Sequence, residues 1–191
     1  MEDAESALAQ RALAGDRAAF DELARRHRGG LLRSIRLLIS DADEAENLLQ
    51  DTLARALAGL ERFRPELRFG AWLHGIALNV CRTQLRDRNR HARTMEPERL
   101  GQVSAPGRGH GVLSGIVHRE LGDCLSQAIG LLPMPLREAF VLHFVDGLGY
   151  AEMSQFTGIA AGTLRVRSHR ARVLLRANLG PVVDTWLLQA R

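Results

Sequence analysis

Two stretches of helical periodicity flank a window that cannot be helical, and that interruption sets the architecture. Residues 91–117 gather Pro97, Gly101, Pro106, Gly107, Gly109, Gly111 and Gly115, with serines and few large apolar groups. Proline removes a backbone donor and glycine raises chain entropy, so the composition predicts a flexible linker. On either side, apolar residues recur every three to four positions, and no alternating run of useful length occurs. The expected fold is therefore all-α: two small helical domains joined by a flexible linker. The expected boundaries are 1–90, 91–117, 118–180 and a tail at 181–191. Apolar residues make up 46% of the 191, enough for packed cores and against global disorder.

The periodicity also predicts where helices stop and start. Gly15-Asp16 reads as a break and a new helix start, and Gly29-Gly30 as a local loosening before Leu31 to Ile39. Ser40-Asp41-Ala42-Asp43 supplies N-cap chemistry, with acids in the first turn complementing the helix dipole. The helix that follows runs to about Leu60, with Ala45, Leu48, Leu49, Thr52, Leu53, Ala56 and Leu57 on one side and Asp43, Glu46, Asn47, Gln50 and Asp51 on the other. Arg64-Pro65-Glu66 ends it, and a further helix begins near Phe69 and closes at Arg86 to Arg90. Past the linker, helical pattern resumes at His118, and Pro133-Met134-Pro135 separates it from a helix at Arg137 to Val145.

Tyr150 to Ile159, followed by Gly162 to Arg172, reads as helix, tight turn, helix, which makes the second domain a four-helix helix-turn-helix domain. Between Met153 and Val183 there are five arginines and no acid. With about 100° per residue, Leu164, Ser168, Ala171 and Leu175 fall on one side of the second helix. Arg165, Val166, His169, Arg170, Val173 and Arg176 fall on the other. The first side suits packing on Met153 and Phe156; the second suits a major groove. Gly162 or Thr163 opens the helix, whose free N–H groups suit a phosphate. Ser168 and Val166 look exchanged, a hydroxyl inward and an apolar group outward. Val166 would then contact a thymine methyl.

Charge supports the division. Net charge is +4, but Asp41, Asp43, Glu44, Glu46 and Asp51 lie together without a base, and the last third is basic. Such asymmetry points to two partners. All 26 basic residues are arginine, whose planar fork suits phosphate and guanine. Cys81 and Cys124 offer neither a disulfide framework nor paired metal spacing. The acidic N-terminus does not read as a signal peptide, and no apolar run approaches the roughly 18 residues of a membrane span. A cytoplasmic protein without membrane insertion, metal or cofactor is expected.

Several motifs, taken together and in order, resemble the bacterial RNA polymerase sigma factors of the extracytoplasmic-function (ECF) type. Leu132-Pro133, Arg137-Glu138, Phe140, Gly147-Leu148, Tyr150 and Glu152 are similar to the entry into that family's C-terminal DNA-binding domain. Gly162-Thr163-Leu164-Arg165, Arg167 and His169-Arg170-Ala171-Arg172 resemble its recognition helix. Asp43, Ala45-Glu46 and Gln50-Asp51-Thr52 resemble the helix that docks on the polymerase clamp. Phe63-Arg64-Pro65 and Phe69, Trp72-Leu73, Ile76-Ala77 and Asn79 resemble the promoter-opening segment. The resemblance covers about residues 11–90 and 118–179. It implies that Asn47, Gln50, Asp51 and Leu57 bind the clamp coiled coil of core polymerase. It implies that Arg64, Arg68 and Phe69 hold a flipped base and that Asn79, Arg82 and Arg86 follow the −10 DNA, double- and single-stranded. It implies that Thr163, Arg165, Val166, Ser168, His169, Arg170 and Arg172 meet the −35 element. Phe69 fits either a base contact or the core. An anti-sigma partner is implied by the resemblance alone. The tail, with Val182, Val183 and Trp186, is expected to pack on the C-terminal domain in preference to binding such a partner. Gly149 stands where the family usually places serine, and Ser154 and Thr157 also depart from its pattern. These departures bear on −35 preference more than on fold.

Two other functions compete. A free-standing operator-binding regulator needs a dimer surface and leaves the acidic face unexplained. An all-helical enzyme would draw on His74, Cys81, His118 and Cys124, which form no nucleophile–base–orienter set.

Overall fold

The computed structural model describes residues 2–65, 67–94 and 116–180. All regular structure among them is helical. In order these are α1 (Glu2–Leu13), α2 (Arg17–Leu38), α3 (Ala42–Ala58), a single 3₁₀ turn (Leu60–Arg62), α4 (Phe69–Thr94), α5 (Ile116–Leu131), α6 (Met134–Phe140), α7 (Tyr150–Thr157) and α8 (Ala161–Leu179). A π-helical turn at Val141–Val145 extends α6. No described helix is long and apolar enough to cross a membrane. The expected linker lies almost wholly outside the described residues, as does the tail at 181–191. Around the linker, α4 runs on to Thr94 and α5 starts at Ile116, each a few residues past the expected boundary.

Local chemistry explains the breaks. Asp16 caps α2 by accepting from Ala19 N–H at 3.2 Å, and Arg11 holds the same carboxylate at 2.7 Å. Together they pull the Asp16 carboxyl below its ordinary range, Arg11 contributing most. Asp41 caps α3 through Glu44 N–H at 2.9 Å, as its sequence predicts. The expected loosening at Gly29-Gly30 does not occur: α2 is continuous from Arg17 to Leu38. Leu23 below and Leu31 and Ile35 above the pair are fully buried, and that packing outweighs the roughly 1 kcal/mol helix penalty of each glycine.

Helices α1 to α4 enclose one core, with Leu23, Leu31, Ile35, Leu49, Leu73 and Leu78 at its centre. One end is closed by aromatics. The Phe69 ring meets Phe20, Phe63 and Trp72 at 6.3, 5.3 and 5.4 Å. His27 stands beside it at 5.9 Å, and burial pushes its imidazole below the usual value. The approach requires Gly70, since a Cβ there would lie 2.7 Å from His27 Cε1. Helices α5 to α8 add Ile129, Phe140, Met153, Leu164 and Leu175 to the same continuous buried cluster.

Gly70→Ala is expected to lower unfolding free energy by about 1–3 kcal/mol through this overlap. His27→Ala should then cost less in the Gly70→Ala background than alone, a coupling that a double-mutant denaturation cycle measures.

Candidate nucleic-acid interface

Helix α7 and helix α8 are set by their turn. Gly158 adopts φ 69°, ψ 9°, the left-handed cap that ends α7, and its N–H reaches Ser154 O at 3.1 Å. Thr157 Oγ1 donates to Met153 O at 2.7 Å and accepts from Ile159 N–H at 3.2 Å, so this departure from the family pattern secures the turn. Gly149, at the N-cap, has no side chain to offer. Glu152 compensates by accepting the Gly149 N–H at 3.3 Å.

Helix α8 begins at Ala161, earlier than the expected Gly162 or Thr163. Ala160 provides no side-chain cap, so the first-turn N–H groups point outward uncapped. Leu164, Ser168, Ala171 and Leu175 are buried, and Thr163, Arg165, Val166, His169, Arg170 and Arg172 are exposed. Val166 is 50% exposed. Arg165 is not loose: its guanidinium carbon lies 5.5 Å over the Tyr150 ring, which stacks on His143 at 4.2 Å.

Ser168 is the correction on this helix. It is fully buried and donates to Ala139 O at 2.9 Å. The hydroxyl that looked misplaced is spent tying α8 to α6, so Ser168 is turned away from any ligand of the outer face.

On the N-terminal half, Asn47 and Gln50 are exposed and Asp51 and Leu57 half-buried on one side of α3. Asp51 pairs with Arg55 at 2.9 Å. The acidic run is divided by the fold. Glu46 bridges Arg28 and Arg36, both at 3.2 Å, and Glu44 takes Arg88 at 3.0 Å. Of these acids Glu44 is the more enclosed, its side chain 15% exposed, whereas Glu46 and Asp51 are 40% and 42% exposed.

Two open clefts carry Arg64, Asn79, Arg82 and Arg86 of the remaining expected residues. One, of about 650 Å³, is lined by Arg62, Arg64, Leu67 and Trp72, with Glu152 and Phe156 opposite. The other, of about 490 Å³, is lined by Asn79, Arg82, Arg86 and Asn89, with Met134 opposite. Arg64, Arg68, Asn79 and Arg86 are exposed. Phe69 is 2% exposed. Its ring belongs to the core, where it shapes the loop from beneath and presents no face to a base.

The sequence reading missed the seam between the halves. Arg82 Nε and Nη2 donate to the two oxygens of Glu138 at 2.8 and 2.6 Å, a bidentate pair that raises the Arg82 pKa. The Asp146 side chain is 1% exposed; Ser34 Oγ donates to its Oδ1, and His74 Nδ1 stands 3.1 Å from its Oδ2. Arg68 reaches Glu152 at 3.8 Å. Arg137 donates to Leu38 O and Leu132 O, each at 3.1 Å, and to Gly130 O, so one guanidinium caps the C-terminal ends of α2 and α5. The signal available in sequence was Glu138, an acid immediately before the apolar run Ala139-Phe140-Val141-Leu142.

Two of the four enzymatic candidates, His74 and Cys81, are structural, and Cys124 is exposed. His74 serves the seam. Cys81 is fully buried and its thiol is pushed up to about 12, chiefly by burial, so it supplies no thiolate. The His118 side chain lies outside the described residues. Among the described residues no cluster of three or more His, Cys, Asp or Glu could hold a metal.

Comparison with known proteins fits this arrangement. The Sigma-70 region 2 family model matches residues 23–91, and the Sigma-70 region 4 model matches residues 122–175. The ECF RNA polymerase sigma factor SigM of Mycobacterium tuberculosis is 33% identical over 168 residues, covering 88% of this chain and 81% of its own. The chain belongs to the ECF RNA polymerase sigma factors. SigW of Bacillus subtilis is 29% identical over 174 residues, covering 86% and 91%. Among solved structures, the sigma factor RpoE in complex with the anti-sigma factor NepR from Bartonella quintana superposes with a TM-score of 0.69 at 28% identity, covering 83% of this chain and 94% of that one. CnrH in complex with the cytosolic domain of CnrY gives 0.67 at 25% identity, covering 92% and 97%. The sigma factor is thus a transcription initiation factor, and the free-standing regulator is the disfavoured alternative.

Ser168→Ala is expected to cost about 1 kcal/mol of stability. The DNA affinity of the folded sigma factor should not change, measured by fluorescence anisotropy on −35 duplex well below the melting temperature.

Proposed function

We propose that the two halves divide the work of promoter recognition. The segment 1–90 binds core RNA polymerase and reads and opens the −10 element; the segment 118–180 reads the −35 element. The stretch 91–117 sets their separation.

The observation that carries this reading is the outer face of α8. Arg165, Val166, His169 and Arg170 are all exposed beside uncapped helical N–H groups, with no acid from Met153 to Val183. Arginine forks match guanine edges or phosphates, and the exposed valine matches a thymine methyl. Thr163 and Arg172 flank this patch and approach the phosphates. Asn47, Gln50, Asp51 and Leu57 would bind the polymerase clamp, their acid suiting a basic partner helix. Arg62 and Arg64 border a cleft of about 650 Å³ with Trp72 on its wall, a setting for a base taken out of the stack, and Arg68 is exposed on the same loop. Asn79, Arg82 and Arg86 would follow the adjoining strand.

The same reading carries a cytoplasmic location, no catalysis by the chain itself, and an anti-sigma partner. RpoE, a similar sigma factor, is solved with the anti-sigma factor NepR.

Two variants test the division. Arg170→Ala is expected to lose about 1–3 kcal/mol of discrimination between matched and mismatched −35 duplex while binding core polymerase normally. Gln50→Ala with Asp51→Ala is expected to weaken core binding and spare −35 discrimination. Identical behaviour of the two variants in both assays overturns the division.

A further inference from the structure

Helix α4 opens on a residue that cannot cap it. The Arg68 carbonyl accepts the first helical bond, from Trp72 N–H at 3.2 Å, which puts Arg68 at the N-cap. That position favours a side chain that accepts a hydrogen bond from a backbone N–H of the first turn, and a guanidinium has only donors. The acceptor comes instead from 65 positions away. Glu5 Oε1 accepts the N–H of Gly70, the second residue of α4, at 3.4 Å. Its charge lies where the helix dipole favours an anion.

The surroundings fit this contact. Glu5 shares a helix face with Ala9 and Ala12, both buried, so α1 turns an acid inward at the head of a stripe of small residues. Arg11 of the same helix holds Asp16, the cap of α2, which ties α1 to α2. His27 of α2 closes the other side. Its ring allows no side chain at position 70, and its Nε2 stands 3.3 Å from the same Glu5 oxygen. Burial holds this imidazole below its usual value, so it is neutral at neutral pH and leaves the carboxylate to the amide. Helix α1 also packs against the 3₁₀ turn at Leu60–Arg62. It therefore touches both ends of the loop that carries Arg64 and Arg68. The region 2 match begins at residue 23, so α1 lies ahead of it.

We propose that Glu5 is a positioning residue for promoter opening: supplied from α1 as the cap of α4, it fixes the first turn of that helix and so sets where Arg64 and Arg68 stand. This rests on the −10 roles proposed above for those two arginines. Serine or aspartate at the N-cap would hold the helix but carry no cation to DNA. With the cap supplied from a distance, position 68 keeps its guanidinium and the helix keeps its acceptor. Phe69, buried under the same turn, anchors the loop from below.

Opening kinetics test this with the full chain on core polymerase, read by permanganate reactivity of unpaired thymines in the −10 element. Glu5→Ala is expected to slow opening about tenfold, with affinity for −35 duplex and for core polymerase unchanged. Glu5→Gln keeps an acceptor for Gly70 N–H and should recover most of the rate. Arg68→Ser is the diagnostic background, because a hydroxyl at that position accepts the amide itself. There Glu5→Ala should slow the remaining opening by less than about twofold. Normal opening by Glu5→Ala, an equal loss of opening, −35 affinity and core affinity, or undiminished slowing in the Arg68→Ser background overturns the proposal. Normal opening by Arg64→Ala with Arg68→Ala overturns the −10 assignment and this inference with it. Loss of opening in that variant but not in Glu5→Ala overturns the positioning role alone.

Discussion

Helix α4 has to satisfy two partners at once, and the structure follows from how it does so. One side carries Leu73, Ala77, Leu78, Val80 and Cys81 into the core of the N-terminal half, where all are buried. Burial of side chains of this size stabilises by about 1.5–3 kcal/mol each for the larger ones. The other side offers His74, Gly75 and Arg82, which meet Asp146, Phe156 and Glu138 of the C-terminal half. The first attachment is apolar and permanent. The second combines ion pairs with the packing of Phe156 against Gly75. A single helix thus joins the core of the N-terminal half to the seam with the C-terminal half, and Asn79, Arg82 and Arg86 line a cleft along it.

Most of the first attachment was legible in the sequence. Apolar spacing fixed α3 and α4, and the Asp16 and Asp41 caps follow from residue type alone. The buried and exposed sides of α8 also came out as the 100° projection requires, with Ser168 among the buried positions. What sequence could not supply was the partner of a buried polar group. Ser168 is spaced like a core residue, but only the fold places Ala139 O opposite it. Gly29-Gly30 misled because local propensity is weak against the packing of Leu31 and Ile35.

The site was legible to a lesser depth. Outward positions on α3 and α8 follow from periodicity, whereas Phe69 did not, because an aromatic at a helix start fits core and surface equally well. Its burial depends on Phe20, Phe63 and Trp72, which come from separate segments. The acidic run from Asp41 to Asp51 looked like a single patch. Glu44 and Glu46 are in fact paired with Arg88, Arg28 and Arg36, pairs that lie 10 to 44 positions apart in sequence and have no local signature.

The account makes the chain a bipartite adaptor between polymerase and promoter, and the most direct measurement is run-off transcription by core polymerase plus this chain on a randomised promoter library. The expected result is enrichment of templates bearing two short elements at fixed spacing, the upstream one lost with substitution in the outer face of α8. Transcripts that depend on no upstream element, or an enriched pool unchanged by omitting the chain, would contradict it.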